Sequence, residues 1–245
     1  MAEKVNQGMK TAWDYSNLLL FAASKTIITA REILTLSIVG YPNGAFALSR
    51  NLYEQLITLS FLYNHKAAPD FQDYIEDYHL DFERQQNKYL RFRAEKITND
   101  KAEIDKIDAD NERIKNHAHK KIKKNYWWAG CESFEQFALT AIDLESDPTM
   151  RSFLLSLHLR YREACTILHA SSLGNQYYLG VDPCFVGVDT SPKPNAMARP
   201  LLFMVETIMG IFGIISVDFD LKTKPGQQPL KDRLVTLENY YYSAI

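Results

Sequence analysis

The stretch Arg160-Tyr161-Arg162-Glu163-Ala164-Cys165-Thr166-Ile167-Leu168-His169-Ala170-Ser171-Ser172 lies inside a strongly helical run that begins near Asp147-Pro148-Thr149-Met150. Asp147 suits a helix cap and Pro148 the first helical position, where a missing N–H costs nothing. At about 100° per residue, His158, Arg162, Cys165 and His169 follow one another at helical spacings and share one face. The apolar set Phe153, Leu154, Leu157, Tyr161, Ala164 and Leu168 lies beside that face and is expected to turn inward. Two readings of Arg162 and His169 stay open on the residues alone. They are polar groups of a half-buried helix, satisfied by neighbours, or a cation and a titratable base aimed at one bound group.

Upstream, residues from about Val5 to Gly40 read as two helices or one kinked helix, closed by the turn chemistry of Gly40-Tyr41-Pro42-Asn43-Gly44. Ala45 to His65 is apolar on most sides and is expected to be central. Within it Arg50 and Glu54 stand four apart, and burying either alone would be expensive. They are expected to pair with each other or to join a polar cluster facing Arg162 and His169.

Ala67-Ala68-Pro69-Asp70 breaks the chain, with Asp70 as a cap. Phe71 to Phe92 and Ile104 to Ile122 then carry narrow apolar stripes among many charges. They predict two long antiparallel helices, turned near Ile97-Thr98-Asn99-Asp100, forming a charged hairpin arm over residues 70–124. The second helix runs from acidic to basic, and its basic end is either a solvated complement to the helix dipole, a phosphate-contacting patch or a partner-protein surface. Lys120, Lys121, Lys123 and Lys124, with Tyr126, Trp127 and Trp128 just after them, are the candidates for gripping single-stranded RNA. His117 and His119 fall on different helix faces and are no metal pair.

Downstream of the arm, Ser133 caps a short helix to about Ile142. The central helix stops at Gly174, and 175–195 reads as an irregular loop. Leu201 to Val217 is close to membrane-spanning length, yet Pro200, Glu206, Asp218 and Asp220 favour a buried core helix. A last amphipathic helix is expected from Pro229 to Ile245. The fold class is therefore all-α: a multi-helix bundle with a long charged hairpin arm, treated as one domain over 1–245.

A net charge of -2 in 245 residues gives no global bias toward nucleic acid, membrane or acidic substrates. Three widely separated cysteines, Cys131, Cys165 and Cys184, fit a reducing compartment. With no secretory signal at the N-terminus, a cytoplasmic location is expected. There is no phosphate loop, dinucleotide fingerprint, zinc-protease motif or nucleophile elbow, so no metal and no cofactor are expected. Cys165 and His169 make at most half a zinc site.

Ala47-Leu48-Ser49-Arg50-Asn51-Leu52-Tyr53-Glu54 resembles the Arg-x-x-x-Glu helix of a bacterial helical family known only as a domain of unknown function. Trp128 through Ala138 and Tyr161 through Ser172 resemble that family's later motifs, in order, over most of residues 10–180. Separately, Arg162 followed after six residues by His169 is similar to the Arg-x(4 to 6)-His signature of the HEPN (higher eukaryotes and prokaryotes nucleotide-binding) ribonucleases, with Glu163 standing where that family usually has Asn, Asp or His.

The second resemblance implies a helical domain that dimerises and cleaves RNA without metal, as a toxin or phage-defence (abortive infection) effector. Under it Arg162 and His169 are catalytic, and Arg50, Glu54, Tyr161 and His158 support them. The alternative is a non-catalytic helical module that binds a nucleotide or a protein partner through the same Arg/His cleft, or a component whose arm mediates assembly.

Overall fold

A computed structural model describes residues 14–168, 179–182, 185–188 and 198–220. Over these residues the chain is a multi-helix bundle, all-α but for one two-stranded hairpin. Helix α1 spans Tyr15–Ile38, α2 Pro42–His65, α3 Phe71–Arg93, α4 Lys101–His117, α5 Phe134–Asp143, α6 Pro148–Leu168 and α7 Ala198–Asp218. Strands β1 (Leu179–Asp182) and β2 (Phe185–Val188) pair antiparallel, with Leu179 opposite Val188. They correct the expectation of a wholly irregular loop over 175–195, and their Val and Phe residues suit a pleated ribbon. The helices expected before Asp14 and after Pro229, and the stop at Gly174, lie outside the described residues.

The chain divides into two compact units, Met1–Leu18 with Phe61–Leu144, and Leu19–Ser60 with Glu145–Ile245. The division falls inside α1 and α2, in a chain expected from its sequence to be one domain over 1–245.

The second unit gathers around α2. Ile33 of α1, Ala45 and Leu52 of α2 and Met204 of α7 form a buried cluster, flanked by Leu48, Leu201 and Ile208. Ile33, Leu52 and Met204 each contribute about 1.5–3 kcal/mol when fully buried. Gly40, at φ 77°, lets the Tyr41 N–H reach back to the Leu36 carbonyl, which ends α1 and allows α2 to start at once. α6 begins as its sequence predicts, Asp147 Oδ1 accepting from the Thr149 N–H at 2.8 Å. It buries Leu154, Leu157, His158, Tyr161 and Ala164.

α7 is long and apolar enough by composition to cross a membrane. In this unit its Phe203, Glu206, Thr207 and Ile211 are buried. A Cβ on Gly210 would lie 3.0 Å from both Leu56 methyls, so α7 crosses α2 at a distance that glycine permits.

The first unit holds the charged hairpin. A π-helical turn over Ala94–Thr98 and a left-handed Asn99 reverse the chain, and Asp100 caps α4 through the Glu103 N–H at 3.0 Å. Ile107 and Ile114 supply the buried stripe of α4. Asn87 Nδ2 donates to Asp110 Oδ2 at 2.8 Å and to Asn111 Oδ1 at 3.1 Å, which fixes the register of the two helices. Arg91 pairs with Asp108, Arg93 with Glu103, and Arg113 with Glu83 across them.

Asp70 stands at the N-cap of α3 as expected, but its side chain makes no capping bond. The expected length of the second hairpin helix is corrected. α4 ends at His117 instead of running on to Lys124, because the N–H groups of His119 and Lys120 are donated to the buried Asp77 carboxylate at 2.8 and 3.1 Å. A helix cannot continue once its N–H groups are engaged elsewhere.

Candidate functional site

In the second unit α2 and α6 bring four of the sequence-predicted residues into two adjoining polar contacts. Arg50 Nε donates to Glu54 Oε1 at 3.3 Å along α2, and the Tyr161 hydroxyl of α6 donates to the same carboxylate oxygen at 3.2 Å. The Arg50 guanidinium also lies 5.4 Å from the centre of the Tyr161 ring, within cation–π range. One turn earlier, Tyr53 Oη and His158 Nδ1 are 3.0 Å apart, both buried. The rings of Tyr53, His158, Tyr161 and Phe203 pack together, Tyr53 and Tyr161 with centroids 5.1 Å apart.

These groups differ in their access to water. The side chains of Arg50 and Glu54 remain 29% and 31% exposed, so solvent reaches them. Burial works against the charged form of Arg50, but the Tyr161 phenol, the Cys165 thiol and the Glu54 carboxylate outweigh it and hold the guanidinium's pKa above its ordinary value. Burial, the Glu54 charge and the Cys165 sulfur push the Tyr161 phenol far above its usual range. Tyr161 therefore stays a neutral hydrogen-bond donor at any physiological pH.

Arg162 is exposed, and its carbonyl accepts from Thr166 Oγ1 at 3.0 Å. His158, predicted on the same face as Arg162, is buried against Tyr53, so that face straddles the edge of the core. His169 follows the last residue of α6 and lies outside the described residues. Glu163 pairs with Arg199 near the start of α7.

A second ion pair joins α6 to α7: the half-buried Arg160 donates to the buried Glu206 Oε1 at 3.1 Å. Neither Tyr53 nor the Arg160–Glu206 pair is picked out by the sequence reading. The single carboxylate within the apolar run of α7 is the signal that points to a buried partner.

The RNA-gripping candidates fall in the first unit and have different environments. Trp127 and Trp128 are each 2% exposed, a correction to their expected role as stacking surfaces. Trp128 packs against Phe61, Tyr78 and Phe137, and Trp127 Nε1 donates to Asp81 at 2.7 Å. Lys120 is half-buried, its ammonium 3.0 Å from the Tyr74 ring centre and donating to the Trp128 carbonyl at 3.1 Å. Burial lowers its pKa, against the pull of Asp77 and its acidic neighbours. Lys121, Lys123 and Lys124 are exposed, Lys124 pairing with Glu132 at 3.0 Å. Among the described residues no group of three or more His, Cys, Asp or Glu side chains is placed to hold a metal ion.

No curated protein and no solved structure is similar to the chain. The model of a family of unknown function, DUF5677, matches residues 16–185. The match takes in α1 to α6 and β1, ending at the first residue of β2, and with them Arg50, Glu54, His158, Tyr161 and Arg162. The chain thus belongs to this family of unknown function, whose shared region contains the polar contacts between α2 and α6.

Proposed function

We propose that the chain is a metal-independent endoribonuclease of the HEPN-like kind, cytoplasmic and dimeric, acting as a toxin or phage-defence effector. The observation that carries the reading is the junction of Arg50, Glu54 and Tyr161, placed between α2 and the helix on which Arg162 rides. It supplies a solvent-reached guanidinium and a permanently protonated phenol one turn before Cys165. His169 follows Cys165 by four residues in sequence.

In the proposed reaction an RNA 2′-hydroxyl attacks its own phosphorus, and the bond from phosphorus to the 5′-oxygen breaks. His169 takes the 2′-proton, and a proton returns to the leaving 5′-oxygen; an imidazole exchanges protons near neutral pH. Arg162 holds the phosphate through its planar fork and stabilises the charge gathering on its oxygens. Arg50, Glu54, Tyr161 and His158 are positioning residues. No step draws on a bound cation.

One observation favours the other reading, a helical module that binds a nucleotide or a protein partner without cleavage. Glu163, directly after Arg162, is engaged by Arg199, at the position where the HEPN signature carries a smaller polar residue or a histidine.

Incubating the full chain with RNA in EDTA separates the two. Wild type is expected to cleave, leaving 2′,3′-cyclic phosphate ends, while Arg162→Ala and His169→Ala leave the RNA intact and melt like wild type. RNA that is bound but uncut by all three proteins selects the binding module. Cleavage unaffected by His169→Ala removes this site from the reaction.

A further inference from the structure

In the first unit, α3, α4 and the segment after them enclose a groove of about 630 Å³, separate from the residues assigned to cleavage. Its floor is apolar, Ile114 fully buried and Ile122 partly so. Arg84, Lys88 and Arg91 stand along one wall at spacings of four and three, which puts their charged ends on one face of α3. Lys115 joins them from α4, while Asp108 and Glu112 are the carboxylates of the lining.

Three of these cations already have anionic partners. Arg84 is held by Asp81 at 2.8 Å, Arg91 by Glu95 and Asp108, and Lys115 by Glu112. Lys88 differs. Among the described residues its ammonium donates to the neutral amide of Gln85 at 3.3 Å and has no carboxylate within ion-pair distance. Burial and the Arg84 charge lower its pKa, Asp81 opposing. A lysine held in a positive field on an apolar-floored groove is a site of uncompensated positive potential.

We propose that this groove binds a nucleoside phosphate, the phosphate on Lys88 beside Arg84 and the flat base over Ile122, beneath which Ile114 is buried. A phosphate meets in Lys88 the cation of this lining that has no carboxylate partner among the described residues, and the flat face of a base suits the apolar side chain of Ile122. The volume falls within the roughly 300–1,000 Å³ of small-molecule sites. The ligand can be a free nucleotide or one nucleotide of a strand, since both present the same chemistry. The site does not depend on Arg162 or His169.

The test uses the full chain with two probes: adenosine 5′-monophosphate, and a short fluorescein-labelled oligodeoxynucleotide, which has no 2′-hydroxyl and so cannot undergo the proposed cleavage. Saturable binding of at least one probe is expected. Lys88→Glu should weaken it about tenfold or more, a change of about 1.4 kcal/mol. Lys88→Gln should weaken it less, and Ile122→Trp should block it by filling the floor. Lys101→Glu, a reversal on the same hairpin outside the groove, should leave it unchanged, with melting curves showing that every variant folds.

Competition by the mononucleotide against the oligonucleotide assigns a free-nucleotide site. Binding of the oligonucleotide alone assigns a nucleotide within a strand. The proposal is overturned if wild type binds neither probe, if Lys88→Glu binds as wild type does, or if Lys88→Glu and Lys101→Glu weaken binding alike.

Discussion

Two regions of this chain draw ionisable groups out of water, and they do so differently. In the first unit the Asp77 carboxylate, 0% exposed, accepts from the backbone N–H groups of His119 and Lys120 and from the His119 ring. In the second, Glu54, about a third exposed, accepts from two side chains on different helices. A carboxylate engaged by main chain fixes the path of a segment, and changing it means rebuilding that segment. One engaged by side chains at the edge of water can change partners when a ligand arrives. The difference separates a charge that fixes the path of the chain from one that solvent reaches.

The largest effects test the buried charges. Glu206→Ala should destabilise by about 3–5 kcal/mol in chemical denaturation, because the Arg160 guanidinium would keep its half-buried place without that carboxylate. Asp77→Ala should cost about 2–3 kcal/mol by leaving the N–H groups of His119 and Lys120 without their acceptor, and Asp77→Asn should cost less. If Asp77→Ala proves nearly neutral, the contrast between the two regions fails.

Acid should pull the first unit in two directions. Burial outweighs the donors around Asp77 and leaves its carboxyl above the usual carboxylate range, so the folded state holds that proton more tightly than the unfolded chain. Stability from this group rises as pH falls through its folded pKa. Burial takes His79 the other way, from 6.5 to about 4. The unfolded chain then binds a proton that the folded one refuses, and stability is lost as pH falls from 6.5 toward about 4. Melting curves of His79→Gln should show less loss over that window than wild type.

The parts of this arrangement that were legible in the sequence share a cause. α6 is announced by Asp147-Pro148 and by a stripe of helical period, both local. Arg50 and Glu54 stand out because charges are rare on a helix apolar all round. Asp77 is one acid among many, and its donors come from 42 residues further along, which no local pattern records. Trp127 and Trp128 follow a basic run, as surface rings do. Tyr126, at φ 61°, begins a tight turn that carries them into a core with Phe61, Tyr78 and Phe137. The end of α4 is likewise set by a distant carboxylate and not by any breaker in Ala118-His119-Lys120.

Smaller effects sharpen the comparison within the second unit. Tyr53→Phe removes the hydroxyl that meets His158 Nδ1 at 3.0 Å and should cost about 1 kcal/mol. Arg50→Ala should cost less, about 0–1 kcal/mol, because the pair it breaks is partly exposed and screened by solvent. Its effect on function is the discriminating one. If the α2–α6 junction positions the reacting groups, Arg50→Ala lowers RNA cleavage by at least tenfold in kcat while the melting temperature scarcely moves, and Arg50→Lys restores part of it by keeping the charge without the fork. An Arg50→Ala protein that cleaves as wild type does would make this ion pair as purely structural as Asp77, and the solvent-reached carboxylate of Glu54 would then mark no site at all.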